Sequence, residues 1–144
     1  MTLDRELVTR KSVLIAADLD PLRVVHEKGV DAFLASPLDQ AVAERLLERS
    51  VTRMIDINYH VITASGHPPP ADYRSSFLRL HELGILDRAF AERIARAAGP
   101  RNRLVHDYDE IDPRKIFEAL ASALRDVPRY LAAVSEHVTR IASA

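Results

Sequence analysis

Apolar residues recur along this chain in steps of three and four, and alternation of the strand kind is nearly absent, so the pattern predicts helices almost throughout. The first helix is expected from about Leu3 to Glu27, with Leu7, Leu14, Ala17 and Leu22 among its apolar positions. Pro21 falls inside it and predicts a kink or a break near Asp20, and Gly29 ends it. Val30 to Leu34 reads as a short helical turn stopped by Ser36-Pro37. The clearest stripe runs from Leu38 to about Thr63 through Val42, Leu46, Val51, Met54, Ile55, Val61 and Ile62, although the pattern drifts. Ser65 to Pro70, with Gly66 and three consecutive prolines, is a loop that acts as a hinge or an exposed elbow.

Beyond the elbow, Asp72 is placed to cap a third helix that carries Phe77, Leu80 and Leu83 to Gly84. Asp87 caps a fourth, from Arg88 to Ala98, with Phe90, Ile94 and Ala97 inward. Gly99-Pro100 signals another helix start, because a proline at the first helical position lacks only an N–H that would be unpaired there anyway. Asp112-Pro113 opens the last helix, which carries Ile116, Leu120, Ala123, Leu124, Leu131, Val134, Val138 and Ile141. Pro128 lies inside that run and predicts a kink or a split in two. No internal repeat, low-complexity segment or domain boundary interrupts the chain. The expected architecture is all-α, an antiparallel helical bundle forming a single domain over residues 1–144.

Composition changes this picture little but narrows the chemistry. The chain has 144 residues and is 47% hydrophobic, enough for one core. Cysteine is absent, which removes disulfides and thiolate metal sites and fits a reducing cytoplasm. No apolar run reaches the length of a membrane span, and the charged start Met1-Thr2-Leu3-Asp4-Arg5-Glu6 is not a signal peptide, so a cytoplasmic location is expected. The formal net charge is -1, so any contact with nucleic acid must rest on local charge. Such a locality exists between Arg88 and Arg103, where Arg88, Arg93, Arg96, Arg101 and Arg103 face one acid, Glu92. The plain alternative is a solvated helix face.

Chemistry concentrates in one stretch, Arg101-Asn102-Arg103-Leu104-Val105-His106-Asp107-Tyr108. At the start of a helix, free N–H groups and the positive end of the dipole favour a bound anion such as phosphate. Steps of about 100° per residue put Asn102 and His106 on one face and Tyr108 nearly above Arg101, with His106 roughly 140° from Arg101. Arg101 and His106 therefore meet on one phosphate only if the long arginine bends round, or if a second copy of the chain contributes to the same cleft. Histidine titrates near neutral pH and suits proton transfer, while arginine stays charged and offers a forked donor set to phosphate. Together they can cleave RNA without a metal. A base takes the 2′-hydroxyl proton, a cation stabilises the phosphorane, and an acid protonates the leaving oxygen. In the bland reading His106 caps or packs, Arg101 pairs with an acid, and Tyr108 is a core aromatic against Leu104.

Other chemistries find less support. Six histidines are present, but none stands with carboxylates at a known metal-ligand spacing. Asp56 and His60 share a helix face at i, i+4, where a surface hydrogen bond is the plain reading and one edge of a metal site the sharper one. No phosphate-cradling glycine loop and no nucleophile elbow occurs, and no cofactor is expected.

Arg101-Asn102-x-x-Val105-His106-x-Tyr108 resembles the signature of HEPN-domain proteins, specifically the HepT group of toxin–antitoxin systems. The long second helix, the Gly/Pro elbow, Tyr73 to Phe77, the Gly84-Ile85-Leu86 turn and Ile111-Asp112-Pro113 after the motif resemble that group as well, over about Leu3 to Ile141. The resemblance implies an all-α bundle that pairs as a homodimer, with the motifs of both subunits lining one cleft. It implies a metal-independent endoribonuclease toxin acting on transfer or messenger RNA, with a minimal nucleotidyltransferase antitoxin as partner. Carried over by position, Arg101 and His106 are catalytic, Asn102 supports them, and Tyr108 is the residue the antitoxin adenylylates. The competing implication is a non-catalytic HEPN partner or nucleotide-binding adaptor, which the absence of a basic balance favours and the intact Arg–His pair opposes.

Overall fold

A computed structural model describes residues 2–98 and 112–143, and these form six helices. They are α1 (Arg5–Glu27), α2 (Val30–Leu34), α3 (Pro37–Ala64), α4 (Tyr73–Glu82), α5 (Arg88–Ala98) and α6 (Pro113–Ser143). Side-chain caps set most of the starts. Asp4 accepts from the Leu7 amide, Ser36 from Asp39, Asp72 from Ser75, Asp87 from Phe90 and Asp112 from Arg114. Each such cap satisfies an amide that the first turn leaves without a partner, and contributes about 1 kcal/mol. Gly84 ends α4 at φ 78°, and the Ile85 amide reaches back to the Leu80 carbonyl (2.9 Å). That closure needs a left-handed residue, which glycine adopts without strain.

Both internal prolines sit within continuous helices, so neither the break expected near Asp20 nor the split at Pro128 is present. Pro21 and Ala17 lie on the exposed side of α1, where the carbonyl left without its amide can bond water. Around Pro128, the side chains of Val127, Tyr130 and Val134 are buried. Burying each is worth about 1.5–3 kcal/mol, which together exceeds the roughly 3 kcal/mol that an interior proline costs.

A hydrogen bond and three sets of ion pairs show how α1 and α3 align. The Asp4 amide donates to His60, Lys11 meets Asp56, Asp18 meets Arg49 and Arg53, and Lys28 meets Asp39. Partner numbers fall as α1 advances, so the two helices run antiparallel. α4 packs on α3 and α5, and α6 lies against α1, α2 and α3. The buried stripe of α1 is Val8, Ile15, Asp18, Leu19, Leu22 and Val25. Leu14 and Ala17, read as part of the apolar pattern, face outward, because one helix side alone meets the core. Ile141 is also exposed, at the C-terminal end of α6. On α5 the inward residues are Phe90, Ala91, Ile94, Ala95 and Ala98, and Ala97 is exposed rather than inward. By about 100° per residue, that buried arc centres some 70° past Phe90, which leaves Ala97 just beyond its edge.

One polar chain crosses the core. The Tyr130 hydroxyl, fully buried on α6, donates to Asn58 Oδ1 (2.5 Å) with the Met54 carbonyl at 3.0 Å as a second acceptor. Asn58 Nδ2 donates to Ser76 Oγ (3.0 Å), and that hydroxyl donates to the Tyr73 carbonyl (2.7 Å). Burial pushes the Tyr130 phenol well above its ordinary pKa, so it remains a neutral donor. Tyr130→Phe keeps the ring but removes the donor to Asn58. Urea unfolding is expected to show a loss of about 1–3 kcal/mol, the range for a buried polar group deprived of its partner.

Candidate functional site

Arg101, Asn102, His106 and Tyr108 lie outside the described residues, as does the helix expected to open at Gly99-Pro100. The structure therefore brings none of these four to a described position. It does place both flanks of the motif, the end of α5 and the start of α6, and those are built by identifiable forces.

α5 is held to α6 by charge. Asp126 is buried on α6 and accepts a forked pair of bonds from Arg93 (3.2 and 2.9 Å) and another from Arg125 (3.0 and 3.2 Å). One step along, Asp87 at the start of α5 pairs with Arg129. The guanidinium groups of Arg129 and Arg93 also lie 4.3 and 5.3 Å from the centre of the Phe90 ring. Because Asp87 meets Arg129 while the later Arg93 meets the earlier Asp126, α5 runs antiparallel to α6. Its C-terminal end is directed toward the N-terminal end of α6. There Ile116 is buried, and the Phe117 ring stacks on His26 at 5.0 Å and 14° and meets Phe33 at 5.3 Å. The motif's return flank is thus anchored where α1 ends and α2 lies.

The arginine run resolves into two groups. Arg88 pairs with Glu92 along α5, and Arg93 is taken up by Asp126. Arg96, in the last turn of α5, is exposed and has no carboxylate partner among the described residues. The plain reading of a solvated face holds for part of the run, and an internal ion pair accounts for another part.

The described histidines are mostly committed elsewhere. His60 Nε2 accepts from the Asp4 amide (2.8 Å), and His81 Nδ1 donates to the Leu86 carbonyl (3.0 Å). His26 stacks on Phe117, and the Nε2 of His137 is buried without a hydrogen bond. Desolvation, with Arg140 nearby, lowers the His137 pKa. Asp56 does not bond His60, as the i, i+4 spacing suggested, but pairs with Lys11 on α1 (3.2 Å). No group of three potential metal ligands occurs among the described residues. An open groove between α1 and α6, lined by Val8, Thr9, Ser12, Val13, Ser135 and Val138, lies far along the bundle from the motif's flanks.

Two carboxylates that organise this geometry were not singled out from the sequence. Asp18 receives Arg49 (2.6 and 3.0 Å) and Arg53 (2.9 Å), and Asp126 receives Arg93 and Arg125. A signal existed for both, since each is an acid set within a buried apolar stripe, Asp18 between Ile15 and Leu19 and Asp126 beside Val127 and Tyr130.

Comparison with known proteins adds what the geometry leaves open. The family model described as ribonuclease HepT-like matches residues 16–134. The tRNA nuclease HepT of Aphanizomenon flos-aquae (strain 2012/KM1/D3) is 33% identical over 132 residues, 92% of this chain and 90% of that protein. Among solved structures, the tri-AMPylated Shewanella oneidensis HEPN toxin in complex with MNT antitoxin superposes with a TM-score of 0.83. It is 20% identical, with 92% of this chain and 99% of that one covered. The cytosolic protein YutE of Bacillus subtilis, of unknown function, superposes with a TM-score of 0.81 at 12% identity, covering 96% and 93%. The helical bundle of the described residues thus has the fold of the HEPN toxin it superposes on.

Burial works to raise the Asp126 pKa, but the bonds and charges of Arg125 and Arg93 prevail and hold it below the ordinary carboxylate value. A depressed carboxylate contributes stability that is fully present above the unfolded value, about 3.9, and is lost as pH falls through the folded one. Asp126→Asn is therefore expected to destabilise the fold at pH 7. Urea midpoints of wild type and variant, followed downward from pH 7, should converge on the acid side of about pH 4.

Proposed function

The chain belongs to the HepT-like ribonuclease family, and from that premise we propose that it is the endoribonuclease toxin of a toxin–antitoxin pair. The observation that carries the reading is the near full-length similarity to a tRNA nuclease, in a chain whose sequence keeps Arg101, Asn102, His106 and Tyr108 in the Arg-x4-His-x-Tyr pattern. Transfer RNA is accordingly the first substrate to test. Residues 1–144 act as one HEPN-like domain.

In this reading His106 moves the protons and Arg101 holds the phosphate as negative charge builds on it, with Asn102 orienting one of them. No metal takes part. The domain works as a homodimer, so that two motifs supply one cleft, which removes the difficulty of the roughly 140° between Arg101 and His106 on a single helix. An exposed apolar stripe on the outer face of α1, with Val13 at 61%, Leu14 at 42% and Val24 at 57% exposure, is available for such pairing. The partner is a minimal nucleotidyltransferase antitoxin, by analogy with the MNT antitoxin bound to the Shewanella protein. It silences the toxin by adenylylating Tyr108, which sets a phosphate and a bulky base beside Arg101. The second reading, a non-catalytic partner or nucleotide-binding adaptor, draws on the net charge of -1.

Incubation with total RNA in EDTA separates the two. The ribonuclease reading expects new RNA ends without added metal, and expects His106→Ala and Arg101→Ala each to lower the rate by about 10²–10⁴. Arg103→Ala should lower it less. Full activity in His106→Ala, or activity abolished by EDTA, contradicts the mechanism. For the off-switch, Tyr108→Phe should keep RNA cleavage and remain toxic in cells carrying the antitoxin. Neutralisation of that variant as complete as for wild type would point to simple occlusion by the partner instead.

A further inference from the structure

We propose that Arg96, Arg114 and Lys115 form a phosphate-binding track that holds the RNA strand on either side of the motif. The inference rests on the RNA-directed reading above but concerns residues outside the catalytic set. Several basic side chains among the described residues are engaged by carboxylates within the fold. Arg49 and Arg53 share Asp18, Arg93 and Arg125 share Asp126, Arg129 pairs with Asp87, and Arg88 pairs with Glu92. Arg96, Arg114 and Lys115 are exposed and have no carboxylate partner among the described residues.

Their placement argues for use. Arg114 and Lys115 are the second and third residues of α6, whose first turn contains no acid. A helix start favours negative charge, so two cations there oppose the dipole and lower stability rather than raise it. Arg96 stands in the last turn of α5, just before the motif in sequence, and α6 begins just after it. The Arg93–Asp126 and Asp87–Arg129 pairs run α5 antiparallel to α6, so the two sets of cations lie toward the same end of that helix pair. From the 1.5 Å rise per residue, they are separated by on the order of 10 Å along the axes, a span that long side chains and a few successive phosphates can cover. In a chain of net charge -1, attraction for a polyanion must come from such a local set.

The test measures binding apart from cleavage. A fluorescein-labelled 2′-O-methyl RNA oligonucleotide, which lacks the attacking hydroxyl, is titrated with the full chain over a range of salt. The variant Arg96→Gln, Arg114→Gln, Lys115→Gln is compared with a control, Arg5→Gln, Arg74→Gln, Arg140→Gln, that removes three exposed arginines elsewhere. The track predicts Kd weaker by about tenfold or more in the first variant, with the slope of log Kd against log salt shallower by about 2, at roughly 0.7 per lost phosphate contact on single strands. The control should bind nearly as wild type does. Thermal unfolding of the first variant should change little, because Arg114 and Lys115 leave a helix start, where cations are unfavourable, while Arg96 leaves a helix end, where one is favourable. Equal losses in both variants, or no loss in the first, overturn the proposal. RNA binding retained together with loss of neutralisation by the antitoxin also overturns it and assigns the patch to the protein partner. Intact unmodified RNA alongside the predicted pattern of Kd values removes the nuclease reading and leaves the track standing.

Discussion

The arrangement of this bundle depends on a buried hydroxyl that must find acceptors. Tyr130 carries its phenol into the core at a depth where an unpaired polar group costs as much as a lost methyl-rich contact, and it finds Asn58 and the Met54 carbonyl there. Apolar packing alone tolerates sliding of one helix on another, because one leucine contact resembles the next. A hydrogen bond between named atoms does not. The chain from Tyr130 through Asn58 to Ser76 therefore sets the register of α6 on α3 and of α3 on α4 together. With α6 set, Asp126 presents its carboxylate at one height, and Arg93 brings α5 to it. The two flanks of the Arg–His motif are positioned through this sequence of contacts rather than by any contact made for the site itself.

Buried carboxylates also decide which arginines are engaged within the fold. Asp18 and Asp126 each engage two arginines, so each cluster keeps one net positive charge but holds it in a fixed geometry. Among the described residues near the motif, Arg96, Arg114 and Lys115, at the ends of α5 and α6, have no carboxylate partner. The near-neutral balance itself comes from composition, 20 basic residues against 21 acidic ones, so attraction for a polyanion would have to rest on such a local set. The arginines that share Asp18 serve the opposite purpose, since they clamp α1 to α3 at a distance from the motif.

Helix limits were largely legible in the sequence because caps are local. A serine or aspartate before an apolar period needs nothing but its own next turn to act; Asp72, Asp87 and Asp112 each do so where expected, and Ser36, read only as a stop, does so as well. Pro128 pointed wrongly to a split for the complementary reason. Its cost is local and readable, while the burial that offsets it comes from other helices. Ala97 and Leu14 show the limit of periodicity, since a stripe fixes which residues share a side but not where the edge of the neighbouring helix falls.

For the candidate site the division is sharper. The residue types and spacing of Arg101, Asn102, His106 and Tyr108 stand in the sequence by itself, and the resemblance they carry is to the family whose model matches the chain. Which of the surrounding arginines are free was decided only by the tertiary structure. Arg93 and Arg96 are one turn apart and alike on the page, and nothing local distinguishes them. Asp126, more than thirty residues away, claims the first and leaves the second, since an ion pair depends on distance in space and not along the chain.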